Sequence, residues 1–273
     1  MADIQSIQDA DERRLAEMGY KQDLKRTWSG FQNFAISFTI ISILAGCFTT
    51  YYQAWNNGGP IAISWGWPII SCAILVIGFC LSELVSAYPT AGGIYWWASK
   101  LGGPGWGWIT ATMNLVGQCA IVAGIDLGGA DTLRVTLGLS SKWLLVLLVL
   151  MLASHALINV FSVRLVAWLN DFSATVHVVG VVVLVALLAY AGRAHGAGYL
   201  AETGFTTRAD GSYPLGFANG LLLGMWTFTG FDASAHVSEE THDPARRAPW
   251  GIVSSVVVSA IAGYAFVADQ VLA

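Results

Sequence analysis

Charge is what this sequence has least of. Only 11% of its 273 residues are Asp, Glu, Lys or Arg, against 55% hydrophobic ones, whereas an average soluble domain carries about 25% charged residues. A soluble globule of this length could not coat its surface with so few. Lysine is scarcer still, limited to Lys21, Lys25, Lys100 and Lys142. None lies in the last apolar stretch, which excludes a seven-helix retinal protein, since its chromophore needs a Schiff-base lysine there. The four cysteines, Cys47, Cys72, Cys80 and Cys119, sit inside apolar runs without C-x-x-C spacing, so they read as buried packing residues and exclude a disulfide framework or a zinc site. No H-E-x-x-H, no G-x-S-x-G and no paired intramembrane aspartates occur, and the longest connection between apolar runs, 192–213, is too short for a catalytic domain. The chain is therefore not expected to be an enzyme, and no metal site, cofactor or nucleic-acid partner is expected.

What is abundant is apolar, aromatic and small: 12 Trp, 12 Phe and 30 Gly, a mixture suited to helices that pack closely in lipid. A helix needs about 20 apolar residues to cross the hydrocarbon core. Seven stretches qualify, 31–55, 62–87, 106–128, 143–163, 165–191, 214–236 and 250–273, with only Val163, Arg164 and Leu165 marking the boundary between the fourth and fifth. Nothing shows the roughly ten-residue alternation of a membrane barrel. A polar segment precedes the first stretch, so that stretch is a spanning helix and not a cleaved leader. Within that segment Asp11-Glu12-Arg13-Arg14-Leu15 suggests a short surface helix. The expected class is an all-α integral membrane protein with the lipid bilayer as its solvent.

Basic residues set the orientation. With the N-terminus in the cytoplasm, Arg13, Arg14, Lys21, Lys25, Arg26, Lys100, Arg164, Arg246 and Arg247 lie inside, and Arg134, Lys142, Arg193 and Arg208 outside. That asymmetry places the N-terminus and the 239–249 loop in the cytoplasm of a multi-pass plasma-membrane protein, with 192–213 outside. Trp65 and Trp67, and Trp96, Trp97, Trp106 and Trp108, then read as belts at the two interfaces.

Two spans are unusual. The first carries Ser42-Ile43-Leu44-Ala45-Gly46-Cys47 at mid-depth, and the sixth reads Trp226-Thr227-Phe228-Thr229-Gly230-Phe231-Asp232-Ala233-Ser234-Ala235-His236. Helix breaks in transporters sit at corresponding spans of two repeats and expose backbone groups to substrate. Spans one and six are five helices apart, as two five-helix inverted repeats require. Breaks are thus expected near Ser42–Gly46 and Phe228–Asp232, although close-packed crossings of small residues would give the same composition.

The end of span two reads Glu83-Leu84-Val85-Ser86-Ala87-Tyr88-Pro89-Thr90-Ala91-Gly92-Gly93-Ile94-Tyr95-Trp96-Trp97. Its P-x-x-G-G-x-Y-x-W pattern resembles the signature of the amino acid–polyamine–organocation superfamily. Phe231-Asp232-Ala233-Ser234-Ala235-His236-Val237-Ser238-Glu239-Glu240-Thr241, followed by Ala248-Pro249, is similar to that superfamily's amino acid/choline transporter branch. Gly19-Tyr20-Lys21 and Asn56-Asn57-Gly58-Gly59-Pro60 fit the same branch. The resemblance implies an inverted-repeat fold and alternating-access transport of amino acids or related amines such as GABA, choline or polyamines. It also implies a 1–30 cytoplasmic tail, a first repeat over 31–191, an outer loop over 192–213 and the start of a second repeat over 214–273. Members have about twelve spans and nearly twice this length. The sequence is therefore expected to be an N-terminal portion, a fragment that would not transport alone. Coupling to H⁺ or Na⁺ and assembly into a homo-oligomer stay open.

By this resemblance the substrate site comprises Ser42, Ile43, Leu44, Ala45, Gly46, Trp226, Phe228, Thr229, Gly230 and Asp232. Glu83, Pro89, Gly92, Gly93, Tyr95, Glu239 and Glu240 are gating or structural positions. Asp232, costly at mid-membrane depth, either serves substrate, proton or gate, or caps the second half of span six. Trp226 either stacks on substrate or packs. Glu83 would pair with a loop Arg or Lys. Glu239, Glu240, Arg246 and Arg247 form either a charge latch or solvated loop. His155 and His177, inside spans, are buried neutral imidazoles or members of a proton relay.

Overall fold

The computed structural model describes residues 2–161, 163–204 and 213–273, with the side chains of 2–9, Val163, Arg164 and Ala167 left aside. Its helices are α1 (Ala2–Glu17), α2 (Gly30–Ile41), α3 (Ile43–Ser64), α4 (Gly66–Ala87), α5 (Gly93–Gly102), α6 (Pro104–Thr136), α7 (Leu144–Phe161), α8 (Val163–Ala191), α9 (Tyr213–Gly220), α10 (Leu222–Thr227), α11 (Ala233–His236) and α12 (Pro244–Leu272). Among the described residues six spans are long and apolar enough to cross a membrane: Gly30–Ser64, Gly66–Ala87, Pro104–Thr136, Ser141–Phe161, Trp168–Ala191 and Pro244–Leu272. The expected span over 214–236 consists instead of α9, α10 and α11, none long enough by itself.

The chain divides into two compact units, one of Met1–Gly93 with Asp171–Ala273 and one of Ile94–Asn170. In the first, α12 packs along α4 and α2 while α3 lies against α9 and α10. Its apolar core gathers Phe38, Ile41, Ile43, Cys47, Trp67, Phe228, Val256 and Phe266. Glycines let these helices approach closely. A Cβ on Gly263 would lie 2.1 Å from the Trp67 ring, and one on Gly251 would lie 2.2 Å from Asn33 Oδ1. In the second unit α6 packs on α7, with Asp126 and His155 joined at 3.1 Å.

Several boundaries differ from the expectation. The first span runs past Trp55 to Ser64, because the Asn56–Pro60 segment stays helical and only Gly59, at φ 68°, leaves helical geometry. The surface helix at the N-terminus extends over Ala2–Glu17. Ser162 and residues 205–212, including Arg208 of the charge count, lie outside the described residues. Trp67 and Trp97 are core residues at 1% and 2% exposure, and Trp96 is buried too, so only Trp65, Trp106 and Trp108 are outward enough for a belt. The reason for Trp67 is polar: its indole N–H donates to Ala260 O at 3.0 Å, which lets the ring lie inside. Of the cysteines only Cys47 is buried; Cys72, Cys80 and Cys119 are exposed on their helices.

Candidate functional site at two interrupted helices

The first interruption is a single residue. Ser42 adopts φ 44° and ψ 68° between α2 and α3, a left-handed conformation that costs a non-glycine residue about 1–2 kcal/mol. Ile43, Leu44, Ala45 and Gly46 are already helical. The first bond of α3 runs from Gly46 N–H to Ser42 O at 2.8 Å. The amides of Ile43–Ala45 therefore have no acceptor within their own helix, and the Ser42 side chain caps none of them. Its hydroxyl turns instead to His177 Nε2 of α8, 2.8 Å away.

The second interruption is longer. After α10 ends at Thr227 the chain turns through Phe228–Asp232, with Gly230 at φ 91°, before α11 begins. Ordinary side chains rarely adopt that φ, and a Cβ on Gly230 would lie 2.1 Å from Ile40 Cγ2. A Cβ on Gly46 would lie 2.6 Å from Thr227 Oγ1. The two interruptions thus lie directly against each other, each presenting a glycine to the other helix. Trp226 and Thr229 line an adjoining cleft of about 480 Å³ with Thr50, Gln53, Leu222 and Met225. Phe228 points the other way, fully buried, with its ring 5.2 Å from that of Trp67.

Asp232 occupies the N-cap position of α11 but makes no side-chain cap bond. Its carboxylate faces His236 Nε2 one turn on, at 3.5 Å. The His236 ring in turn fills the space over Gly93, where a Cβ would lie 2.9 Å from Cε1. Gly93 has φ 47°, so backbone conformation and contact both demand glycine there. Next to it Ala91 N–H donates to Glu239 Oε1 at 2.9 Å. Asp232, His236, Gly93 and Glu239 are therefore one connected patch. Pro89 is buried and Gly92 half-buried beside it. Glu83 is exposed on α4, where no described Arg or Lys pairs with it, and Tyr95 is exposed too.

The half-helices are tied by groups that composition did not mark. Asn33 Nδ2 donates to Ser234 O at 2.9 Å and to Thr241 Oγ1 at 3.0 Å. Ser234 Oγ donates to Asn33 O at 2.7 Å, and Ser234 N–H donates to Ser37 Oγ at 2.8 Å. All four side chains are fully buried. On the N-terminal side, Arg26 donates to Ser238 O and Thr241 O at 3.1 and 2.7 Å, and Thr27 and Trp28 N–H both donate to Glu240 O. Asp11 Oδ2 accepts from Asp243 N–H at 3.1 Å and stands 4.0 Å from Arg26 Nε. Burial raises the Asp11 pKa against the opposing pull of Arg26, and lowers that of Arg26 against the pull of Asp11. Glu240 is raised by burial and then by Glu239. Glu239 and Glu240 thus hold the N-terminal segment and the Ala91 loop together, Glu240 through its backbone carbonyl. Arg246 and Arg247 remain exposed.

Comparison with known proteins agrees with this architecture. The family model described as amino acid permease matches residues 29–268. The amino-acid permease BAT1 of Arabidopsis thaliana is 35% identical over 280 residues, covering 96% of this chain and 54% of the relative. Its rice homolog, from Oryza sativa subsp. japonica, is 34% identical over 278 residues, covering 95% and 54%. The GABA-specific permease of Saccharomyces cerevisiae is 29% identical over 285 residues, covering 93% and 47%. The chain thus spans about half the length of these curated relatives. With multiple apolar spanning helices and a family match over most of its length, the chain belongs to the amino acid permease family, whose members are membrane transporters and not enzymes.

Proposed function

We propose that the chain belongs to a secondary active transporter that moves amino acids or related amines, such as GABA, choline or polyamines, across the plasma membrane by alternating access. The meeting of the two interrupted helices, with Gly46 on Thr227 and Gly230 on Ile40, is the observation that carries this reading. At that crossing the free amides at the start of α3 suit a carboxylate, and the carbonyls ending α2 and α10 suit an ammonium group. Ser42, Ile43, Leu44, Ala45, Gly46, Phe228 and Gly230 contribute backbone. Thr229 and Trp226 face the cleft beside them, and Asp232 supplies negative charge toward an amine. Pro89, Gly92, Gly93, Glu239 and Glu240 form the inner gate, which the Asp232–His236 pair links to the site, with Glu83 and Tyr95 at its edges. The N-terminus is cytoplasmic by the distribution of basic residues.

Equilibrium binding of radiolabelled L-alanine, L-arginine, L-glutamate and GABA to the protein in nanodiscs tests this. At least one should bind saturably, and Asp232→Asn should weaken it about 10-fold or more with the thermal unfolding midpoint unchanged, since a charged hydrogen bond contributes about 1.5–3 kcal/mol. Absence of saturable binding for all four, or binding indifferent to Asp232→Asn, would overturn the assignment.

A further inference from the structure

We propose that His177 is a proton-binding site that switches the Ser42 hydroxyl between facing the imidazole and facing a ligand carboxylate, so that a proton and a carboxylate are taken up together. The proposal rests on the substrate site placed above at the start of α3. His177 and Gly180 lie on one face of α8, three residues apart. Gly180 lets α8 approach the interruption closely, since a Cβ there would lie 2.8 Å from Leu44 Cδ1. The imidazole is held from three sides. Nδ1 is 2.8 Å from Ser173 O, Nε2 is 2.8 Å from Ser42 Oγ, and the Phe38 ring meets the imidazole edge-on at 6.5 Å between centroids.

These distances assign the protons. A backbone carbonyl can only accept, so Nδ1 carries a hydrogen. In the neutral ring Nε2 is then a bare acceptor, and the Ser42 hydroxyl must spend its one proton on it. When a proton from solution binds Nε2, the bond reverses. Nε2–H donates to Ser42 Oγ, and the Ser42 hydroxyl hydrogen is released to donate elsewhere. The nearest stretch of unpaired donors is the Ile43–Ala45 turn that Ser42 precedes. A carboxylate there would meet the freed hydroxyl, the amides and a nearby imidazolium charge. No bond to carbon forms or breaks; one proton moves from solution to Nε2.

Few ionisable groups compete. α2 has no ionisable side chain, and those of α3 are Cys47, Tyr51 and Tyr52. None of these hydrogen-bonds the ring among the described residues. On α8 itself Asp171 lies six residues earlier, its Oδ1 buried without a hydrogen-bond partner. Linkage then requires that proton and carboxylate each favour the other's binding by the same factor.

Two measurements test this on the protein in nanodiscs. Nitrogen-15 histidine NMR, assigned with His177→Gln, should show His177 near pH 8 as a neutral ring with hydrogen on Nδ1. On acidification it should gain a second hydrogen, on Nε2. Binding of L-alanine should tighten, by up to tenfold per pH unit, over the interval in which that hydrogen is gained, while ethylamine, which lacks the carboxylate, should lack this component. In His177→Gln the slope for L-alanine should flatten while binding persists. A slope unchanged in His177→Gln, an Nε2–H neutral tautomer, or a ring that stays neutral down to about pH 5 would each overturn the proposal. If L-alanine fails to bind at any pH, the substrate-site reading falls for that ligand, and the NMR result alone still decides whether His177 takes up a proton.

Discussion

The two units of this chain bury their apolar helices very differently. Within the unit that holds the interruptions, Gly30–Ser64 and α12 bury 39% and 44% of their most apolar stretch; in the 94–170 unit, α6 and Ser141–Phe161 bury none of theirs. In a bilayer, lipid tails are as apolar as leucine, so burial between helices brings no hydrophobic gain. Burial in the first unit must therefore come from shape and hydrogen bonding. Its glycines touch Thr227, Ile40, Trp67 and Asn33, and its buried polar groups bond each other. The second unit makes fewer such contacts: Met151 packs on Gly129, Ser99 on Gly107, and Asp126 meets His155. The lesson is that close packing in this chain concentrates where backbone geometry must be held away from a regular helix.

The same substitution should therefore have opposite signs in the two units. Gly251→Ala drives a methyl into Asn33 Oδ1 and Ser234 Oγ, at 2.2 and 2.6 Å, and should cost about 1–3 kcal/mol through overpacking. Gly117→Ala in α6 meets nothing within 4 Å and should gain about 0.5–1 kcal/mol from helix propensity. Unfolding in mixed micelles measures both, and equal signs would break the comparison.

Asn33→Ala should come next, losing about 1–3 kcal/mol, because it strands Ser234 O and Thr241 Oγ1 in a fully buried place. Asp126→Asn in the second unit should cost less, about 1 kcal/mol, since the Asn oxygen can still accept a hydrogen bond from the His155 ring, 3.1 Å away. A larger loss at Asp126 than at Asn33 would show that the exposed unit is no less dependent on its internal polar contacts.

The smallest effect concerns the N-terminal segment and pH. Asp11 and Glu240 both have pKa values raised by burial. A raised acid contributes stability that is full below its unfolded value, 3.8 or 4.5, and is lost as pH rises through the folded value. Docking of the segment onto 238–243 should thus tighten modestly as pH falls from neutral toward that range. A spin label at Glu17→Cys should become less mobile on acidification, and this response should shrink in Asp11→Asn. A label that loosens instead would contradict the assignment of burial as the dominant cause.

Much of this was legible in the sequence, for identifiable reasons. Apolar length revealed the spanning helices, and mid-span small and polar residues marked where both interruptions lie, although unbroken close-packed crossings share that composition. The resemblance carried the family. What composition could not supply was direction. It spread the first interruption over Ser42–Gly46, whereas hydrogen bonding confines it to Ser42. It read Trp67 as an interface residue, since the acceptor at Ala260 is 193 residues away. Asp232 as a helix cap was equally compatible with its sequence, and only its partner His236 distinguishes the roles. Asn33 and Ser234 looked like ordinary span residues because their partners come from other helices, and for His177 the sequence left a packed neutral imidazole and a proton relay both open, its Ser42 partner lying 135 residues away.

The central claim is that the start of α3 is an unpaired turn positioned to hold substrate. Amide hydrogen exchange of the protein in nanodiscs, with and without saturating L-alanine or GABA, tests it most directly. The account predicts that Ile43–Ala45 exchange faster than the middle of α7, and that ligand slows them while leaving α7 unchanged. Amides of Ile43–Ala45 that exchange as slowly as those of α7, and do not respond to any amino acid that binds, would contradict it.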